Sequence, residues 1–239
     1  MSTLLLRLAG PLQAWGSSSK FNTRYTDREP TKSGVIGMIA SAMGRSRDES
    51  VEDLNNLIFG VRVDQEGEFQ KDFHTAKGKE SFVTHRHYIS DALFIVGLEG
   101  KEDILLEIEL ALKSPAYPLF LGRRSCPPTM PIVLGIRSVS LRDALRNEPW
   151  NAGDWYKKKR ETKEDLRIVC DAGVFDENGV VNKDCPISFS QTHRKHGIRY
   201  VVNDILVTVD NPSSKKQKNG NSTDNHNPIA ELNEFNRRH

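Results

Sequence analysis

The chain has 239 residues, with 34 Lys and Arg against 32 Asp and Glu and a formal net charge of +2. That length suits one domain, or one domain with a smaller appendage, and the near balance of charge excludes a protein that holds nucleic acid by bulk positive charge alone. No apolar run approaches transmembrane length and no basic leader precedes a signal-length apolar stretch, while three cysteines without a CxxC pair argue against a disulfide framework or zinc site, so a reducing cytoplasm is expected.

Residues 3–9 form a short, mostly apolar run suited to a buried strand. A Gly10-Pro11 turn ends it, and a polar loop covers residues 17–30. Residues 31–44 read as a helix: Thr31 or Ser33 can cap it, Val35, Ile36, Ile39, Ala40 and Met43 make an apolar stripe, and Gly44 suits the C-terminal end. Gly34 and Gly37 inside it point to close packing or close ligand approach. A short helix is expected near residues 51–57 and a second strand at 58–63. Residues 65–90 are polar, rich in Lys and His, and poor in core residues, which predicts an exposed hairpin. A third strand follows at 91–98, and residues 101–112 carry Ile104, Leu105, Ile108, Ala111 and Leu112 on one helical face. A fourth strand is expected at 132–139.

That order is β-α-β-β-α-β, the ferredoxin-like split βαβ arrangement, shared by RNA-recognition modules and by many unrelated proteins. Beyond it, residues 141–146 predict a short helix. Residues 166–170, residues 174–181 around Asn178-Gly179, and residues 199–209 predict strands of a small β-rich appendage, with Asn-Gly as a hairpin signal. From Asn211 onward the composition predicts a flexible polar tail. The domain reading is therefore a palm over 1–150 with an insertion at about 65–90, a β-rich region over 151–210 and a tail over 211–239.

Charge is segregated along the chain. From Arg7 to Arg47 seven Lys and Arg stand against Asp27 and Glu29, whereas from Asp48 to Asp72 eight acids stand against Arg62 and Lys71. Such alternation suits one face for a polyanion and another for solvent or a protein; ordinary charged surface explains it about as well. Two loops stand out. Residues 10–16 (Gly-Pro-Leu-Gln-Ala-Trp-Gly) and 121–128 (Leu-Gly-Arg-Arg-Ser-Cys-Pro-Pro) each combine glycine and proline with a group that can stack on or donate to a polyanion. If the fold brings them to one side, they form a phosphate-and-base site and not a reaction centre.

Within these loops Trp15 could stack on a base or pack in the core, and Gln13 could read a base edge or close the turn. Lys32 and Ser33, at a helix start, could take a phosphate; an ordinary cap with a solvated lysine is the commoner arrangement. Arg123 and Arg124 are hard to explain as packing and favour RNA phosphate, with salt bridging to the acidic stretch as the alternative. The excursion holds His74, Lys77, Lys79, His85, Arg86, His87 and Tyr88. A basic, aromatic hairpin can grip phosphates and wedge between bases, while a His beside Lys or Tyr could run metal-independent RNA cleavage. His85 and His87 lack a third ligand at useful spacing, so no metal is expected. The cluster His193-Arg194-Lys195-His196 touches RNA or is solvated surface. No GxxxxGKS loop, GxSxG elbow or HExxH helix is present.

Four ordered segments resemble a known family: residues 4–16 (LLLRLAGPLQAWG), 30–37 (PTKSGVIG), 88–94 (YISDALF) and 117–127 (YPLFLGRRSCP), with a looser echo at 151–156. They are similar to the family-five CRISPR-associated subunits of type I-E Cascade, the CasD family. The resemblance implies an RRM-like palm whose β-hairpin thumb emerges between the second and third strands. It implies a subunit that caps the 5′ handle of the CRISPR RNA, contacts the Cascade backbone and large subunits, and meets target DNA only through the complex. The thumb would press where a base is kinked out. In type I-E complexes a separate subunit cuts the precursor, whereas a type I-C relative cuts through Tyr, Lys and His chemistry; the Gly-Arg-Arg-Ser-Cys-Pro loop resembles type I-E, so no catalysis, cofactor or metal is implied. Carried over by position, the RNA contacts are Gln13, Trp15, Arg24, Lys32, Ser33, His85, Arg86, His87, Tyr88, Arg123, Arg124 and Ser125.

Overall fold

The computed structural model describes residues 1–16, 19–20, 22–77, 81–175 and 179–215. In chain order the elements are β1 (Ser2–Ala9), β2 (Leu12–Gln13), β3 (Ser19–Lys20), β4 (Thr23–Arg24), α1 (Lys32–Ala42), α2 (Glu52–Asn55), β5 (Ile58–Gln65), β6 (Glu68–Lys77), β7 (Ser81–Ser90), β8 (Leu93–Gly100), α3 (Glu102–Lys113), β9 (Val133–Arg137), α4 (Leu141–Asn147), α5 (Asp154–Lys157), β10 (Lys163–Asp171), β11 (Val180–Ser188) and β12 (Lys195–Asp210).

The larger sheet has seven strands in the order β11-β12-β10-β5-β8-β1-β9, each antiparallel to its neighbours. In its β9-β1-β8-β5 portion, β1 and β5 are joined through α1, and β8 and β9 through α3, so two βαβ units interleave. The chain is an α+β protein built on antiparallel sheet.

Strand β1 is a continuous apolar run because both its faces are covered. Leu4, Leu6 and Leu8 join the core beneath α1 and α3 with Phe94, Val96, Ile39 and Ile108. Leu5 and Ala9 point the other way, into a core with Ile95, Ile168 and Leu141 and Leu145 of α4. Each face is thus closed by helix, and period-two alternation puts successive leucines in different cores. Helix α1 starts where expected: the Thr31 hydroxyl accepts from the amide of Gly34 at 3.2 Å.

The smaller sheet holds the expected hairpin. Strands β6 and β7 pair from Glu68↔Ser90 to Lys77↔Ser81. The hairpin is not an isolated excursion, since the other edge of β7 pairs with β2 at Ser90 and Ile89 and with β4 at His85 and Arg86. The segment expected as a plain polar loop, residues 17–30, therefore contributes β3 and β4 to this sheet.

Two other expectations are corrected. Strands β10 and β11 do not form a hairpin at Asn178-Gly179, because β12 lies between them and pairs with both; Asn178 itself lies outside the described residues. The C-terminal strands continue the main sheet through β10 against β5, at Ile168↔Arg62 to Cys170↔Gly60. The first residues of the expected tail are also pinned. Asn211 is 2% exposed and donates through Nδ2 to the carbonyls of Lys157 and Glu161, both at 2.8 Å. The Ser214 hydroxyl donates to the Arg160 carbonyl at 2.7 Å. Residues 216–239 lie outside the described residues.

Candidate nucleic-acid interface

The two glycine-proline loops meet. The Ala14 amide donates to the Leu121 carbonyl at 3.1 Å. Gly122 adopts φ +85°, and a Cβ there would stand 1.8 Å from the Ala14 carbonyl oxygen, so only glycine fits. The second loop closes on itself through Leu121 N–H to the Cys126 carbonyl (2.7 Å) and Cys126 N–H to the Arg123 carbonyl (2.9 Å). Leu121 and Cys126 are its buried feet, and Gly122, Arg124 and Ser125 project outward. Burial pushes the Cys126 thiol above its ordinary range, which makes it a packing group and not a nucleophile.

Beside this junction lies a cleft of about 1020 Å³. Its floor is α1, through Ser33, Gly34, Gly37, Met38, Ala40 and Ser41. Gly122, Arg123, Arg124 and Ser125 form one wall, Arg24 of β4 and Arg86 of β7 another, and Phe189, Ser190, Gln191 and Arg194 a third. Arg45, Ser46, Arg47, Tyr117 and Phe120 complete it. Seven of the lining residues are arginines and, among the described residues, none is Asp or Glu. Arg45 is held by Asp53 at 2.7 and 2.5 Å. Arg123 is spent on carbonyls: His87 at 2.9 Å, Arg24 at 2.9 Å and Tyr25 at 3.2 Å. The other five guanidiniums form no ion pair with a carboxylate among the described residues. The Nε of Arg86 is buried with no hydrogen-bond partner, an orphan donor at the rim of a cleft that already favours anions.

The structure places the residues named from the sequence in three groups. Arg24, Ser33, Arg86, Arg123, Arg124 and Ser125 all line the cleft. Gln13, Trp15 and Lys32 are internal, which corrects their expected RNA contacts. Gln13 is 0% exposed; its Nε2 donates to the carbonyls of Leu8 and Ala92 (3.2 and 2.8 Å), and its Oε1 accepts from Trp15 Nε1 at 3.0 Å. Trp15, 1% exposed, packs in the core beneath α1. A Cβ on Gly34 would come 2.9 Å from the Trp15 ring, so that helix glycine is required for packing, while its backbone lines the cleft floor. Lys32 is 6% exposed and its Nζ donates to the Leu57 carbonyl at 2.8 Å and to Asp171 at 3.3 Å. Its amide donates to Asp184 Oδ2 at 2.9 Å, so a carboxylate of the chain already occupies the anion-favouring helix start.

The third group is on β7. Side chains alternate along β7, and Arg24 pairs in register with Arg86. Arg86 and Tyr88 therefore share the side of Arg123, whose guanidinium lies over the Tyr88 ring at 4.8 Å; Tyr88 is buried. His85 and His87 point to the opposite side, where His87 stacks on Tyr25 with ring centroids 5.1 Å apart. The structure thus does not bring these histidines into the cleft, and Tyr88 acts as a support.

The sequence does not single out Arg45, Arg47, Tyr117, Phe120 and Phe189, and it offers Arg194 only within the His193-Arg194-Lys195-His196 cluster, as RNA contact or solvated surface. Arg45 and Arg47 were visible only as members of the basic segment. The three aromatics are scattered over more than seventy residues, and no local signal joins them.

A family profile described as CRISPR-associated protein (Cas_Cas5) matches residues 3–202. The chain belongs to that family. It is 36% identical over 193 residues to the CRISPR system Cascade subunit CasD of Escherichia coli strain K12, covering 70% of this chain and 86% of that protein. A solved structure described as "CRISPR RNA-guided surveillance complex" contains a chain 30% identical, with TM-score 0.72 over 89% of this chain and 92% of that one. A "Crystal structure of Cas protein" is 38% identical, with TM-score 0.69 over 89% and 97%. The CasD resemblance seen in residues 4–16, 30–37, 88–94 and 117–127 is thus borne out at the level of the whole fold. No helix among the described residues is long and apolar enough to cross a membrane, and none of their His, Cys, Asp and Glu side chains group to hold a metal.

Proposed function

We propose that this chain is a cytoplasmic, non-catalytic CRISPR RNA-binding subunit of a type I-E Cascade complex. In this reading it caps the 5′ handle of the RNA, joins the backbone and large subunits, and meets target DNA only through the complex. The observation that carries the reading is the cleft beside the two joined loops, with seven arginines and no carboxylate among its described lining residues. A single strand of RNA suits it, because guanidiniums take phosphates in planar pairs and an irregular cleft admits unstacked bases. The family relationship and the likeness to a chain of an RNA-guided surveillance complex support the same assignment.

The rival reading is a metal-independent endoribonuclease that matures the precursor RNA. The position of His85 and His87 on the far side of β7 from the cleft favours binding over cleavage. One experiment separates the two. The purified chain is incubated with its repeat RNA in chelator over a salt series, and a gel reports both shift and cut products. Handle capping gives intact RNA and a salt-sensitive shift. If each of the five arginines outside the Asp53 and carbonyl pairings meets one phosphate, log affinity falls against log salt with a slope of about −3.5. Specific cut products that vanish on His85→Ala or His87→Ala would establish the nuclease instead.

A further inference from the structure

The aromatic residues of the cleft carry more than the arginines alone explain. Tyr117 is 56% exposed and, unlike the similarly exposed Phe73, Trp155 and Tyr200, lines the arginine-rich cleft. Its backbone is held: Pro115 and Pro118 flank the segment, and the Ala116 amide donates to the Ala42 carbonyl at 2.9 Å. The ring is thus presented on a stiff support at the end of α1. Phe189, in the connection between β11 and β12, touches α1 by its tip and not by a face. A Cβ on Gly37 would lie 3.4 Å from its Cζ and 3.8–3.9 Å from its two Cε atoms. Arg194 follows five residues later, exposed and lining the same cleft.

That connection is fastened to the palm by buried charge. Asp171 of β10 binds Lys32 at 3.3 Å and Arg199 of β12 at 2.6 Å, and Arg199 also binds Asp184 of β11 at 2.6 Å. The wall bearing Phe189 and Arg194 is therefore anchored to the start of α1 through three C-terminal strands. An exposed ring, Tyr117, and a half-buried one, Phe189, stand beside guanidiniums with no carboxylate among the described lining residues; that set matches the chemistry of single-stranded RNA, in which ring faces take bases and arginines take phosphates.

Resting on the RNA-binding reading above, we propose that Tyr117 and Phe189 are stacking platforms for unpaired bases of the bound RNA and that Arg194 contacts its backbone. The β11–β12 connection is then part of the nucleic-acid site and not an appendage to it.

The test uses the full chain and a single-stranded RNA of its repeat-derived 5′ segment, with 2-aminopurine placed at successive positions. Tyr117→Ala and Phe189→Leu are each expected to weaken binding by about five-fold or more and to abolish the emission change at one position. Phe189→Leu keeps an apolar group against α1, and an unchanged thermal midpoint shows that the wall is intact. Arg194→Ala is expected to lower the magnitude of the salt slope by about 0.7. If all three variants match the parent in emission, affinity and slope while Arg124→Ala weakens binding, the proposal falls and the RNA-binding reading stands. If Arg124→Ala is also without effect, both fall. If Tyr117→Ala binds RNA normally but fails to assemble with the other subunits, the rings belong to a protein interface and the proposal is again overturned.

Discussion

The guanidinium of Arg123 lies over the ring of Tyr88, 4.8 Å from its centroid, and its donors end on the carbonyls of His87, Arg24 and Tyr25. One side chain thereby ties the Gly122 loop to β4 and to β7. Its neighbour Arg124 projects from the same loop without that burden. The two adjacent arginines should therefore behave differently. Arg123→Lys keeps the charge but loses the fork, and should destabilise the fold by about 1.5–3 kcal/mol through the charge-assisted bonds it gives up. Hydrogen exchange at Tyr25 and His87 should quicken. Arg124→Ala should leave the thermal midpoint within about 1 °C, because a surface change of this kind is nearly neutral, yet lower the magnitude of the RNA salt slope by about 0.7. A pair of variants with matching stability and matching slopes would refute the division of labour.

Lys32 gives a second contrast between support and contact. Its Nζ reaches Asp171 and a carbonyl inside the protein. Lys32→Met should destabilise the fold by about 2–3 kcal/mol, below the usual cost of breaking a buried pair, since Asp171 keeps Arg199 as a partner. Measured on the folded population, RNA affinity and its salt slope should not change. A drop in slope on Lys32→Met would place the lysine against phosphate after all.

What the sequence made legible follows from where each signal acts. The strand over residues 3–9 and the helix over 101–112 were legible because burial of one or both faces writes a period into neighbouring residues. The meeting of the two loops stood in the sequence only as a condition, because Gly122 and Gly10 mark backbone that passes close to something without naming what. The roles of Gln13, Trp15 and Lys32 were not legible, since each depends on partners such as Ala92, Gly34 and Asp171 that no local pattern links to them. Polar residues at a turn or a helix start look the same whether they face solvent or an internal carboxylate. The Asn178-Gly179 signal, of which Asn178 lies outside the described residues, did not foretell how β10 and β11 pair: both run antiparallel to β12 and hence in the same direction, on its two edges. The far wall of the cleft was hidden most fully, since Tyr117, Phe189 and Arg194 converge only once β11 and β12 have been attached to the palm.

His196 makes that wall sensitive to acid. Burial holds its imidazole below the usual histidine range, with Arg194 and Lys183 adding to the effect and Asp184 opposing it; its ring stands edge-on to Phe189. A depressed pKa means that the unfolded chain binds the proton more readily. Stability is therefore fully present above the unfolded value of about 6.5 and is lost as pH falls through the folded value. The thermal midpoint should decline from pH 7 towards pH 5, with amides of residues 189–195 losing exchange protection first. His196→Asn should flatten the part of that decline owed to this group. An unchanged profile in the variant would assign the acid response elsewhere.

Strand β7 offers the sharpest test of orientation. Arg86 and Arg24 are register partners on parallel neighbouring strands and both line the cleft, whereas His85 and His87 point away from it. Alternation fixes this at every step of β7, because a strand that put His87 against Tyr25 could not also put it beside Arg123 on the other face. Arg86→Ala should weaken RNA binding by about ten- to hundred-fold, the worth of one charge-assisted contact, and lower the magnitude of the salt slope by about 0.7. His85→Ala and His87→Ala should bind within two-fold of the parent, roughly the scatter expected of a side chain that meets no ligand. The double change Arg24→Ala with Arg86→Ala should cost other than the sum of its parts, since two adjacent guanidiniums share one stretch of backbone and repel each other when it is absent. Equal losses on the histidine and arginine faces would mean that RNA wraps the hairpin, and the cleft would then be only one side of the binding surface.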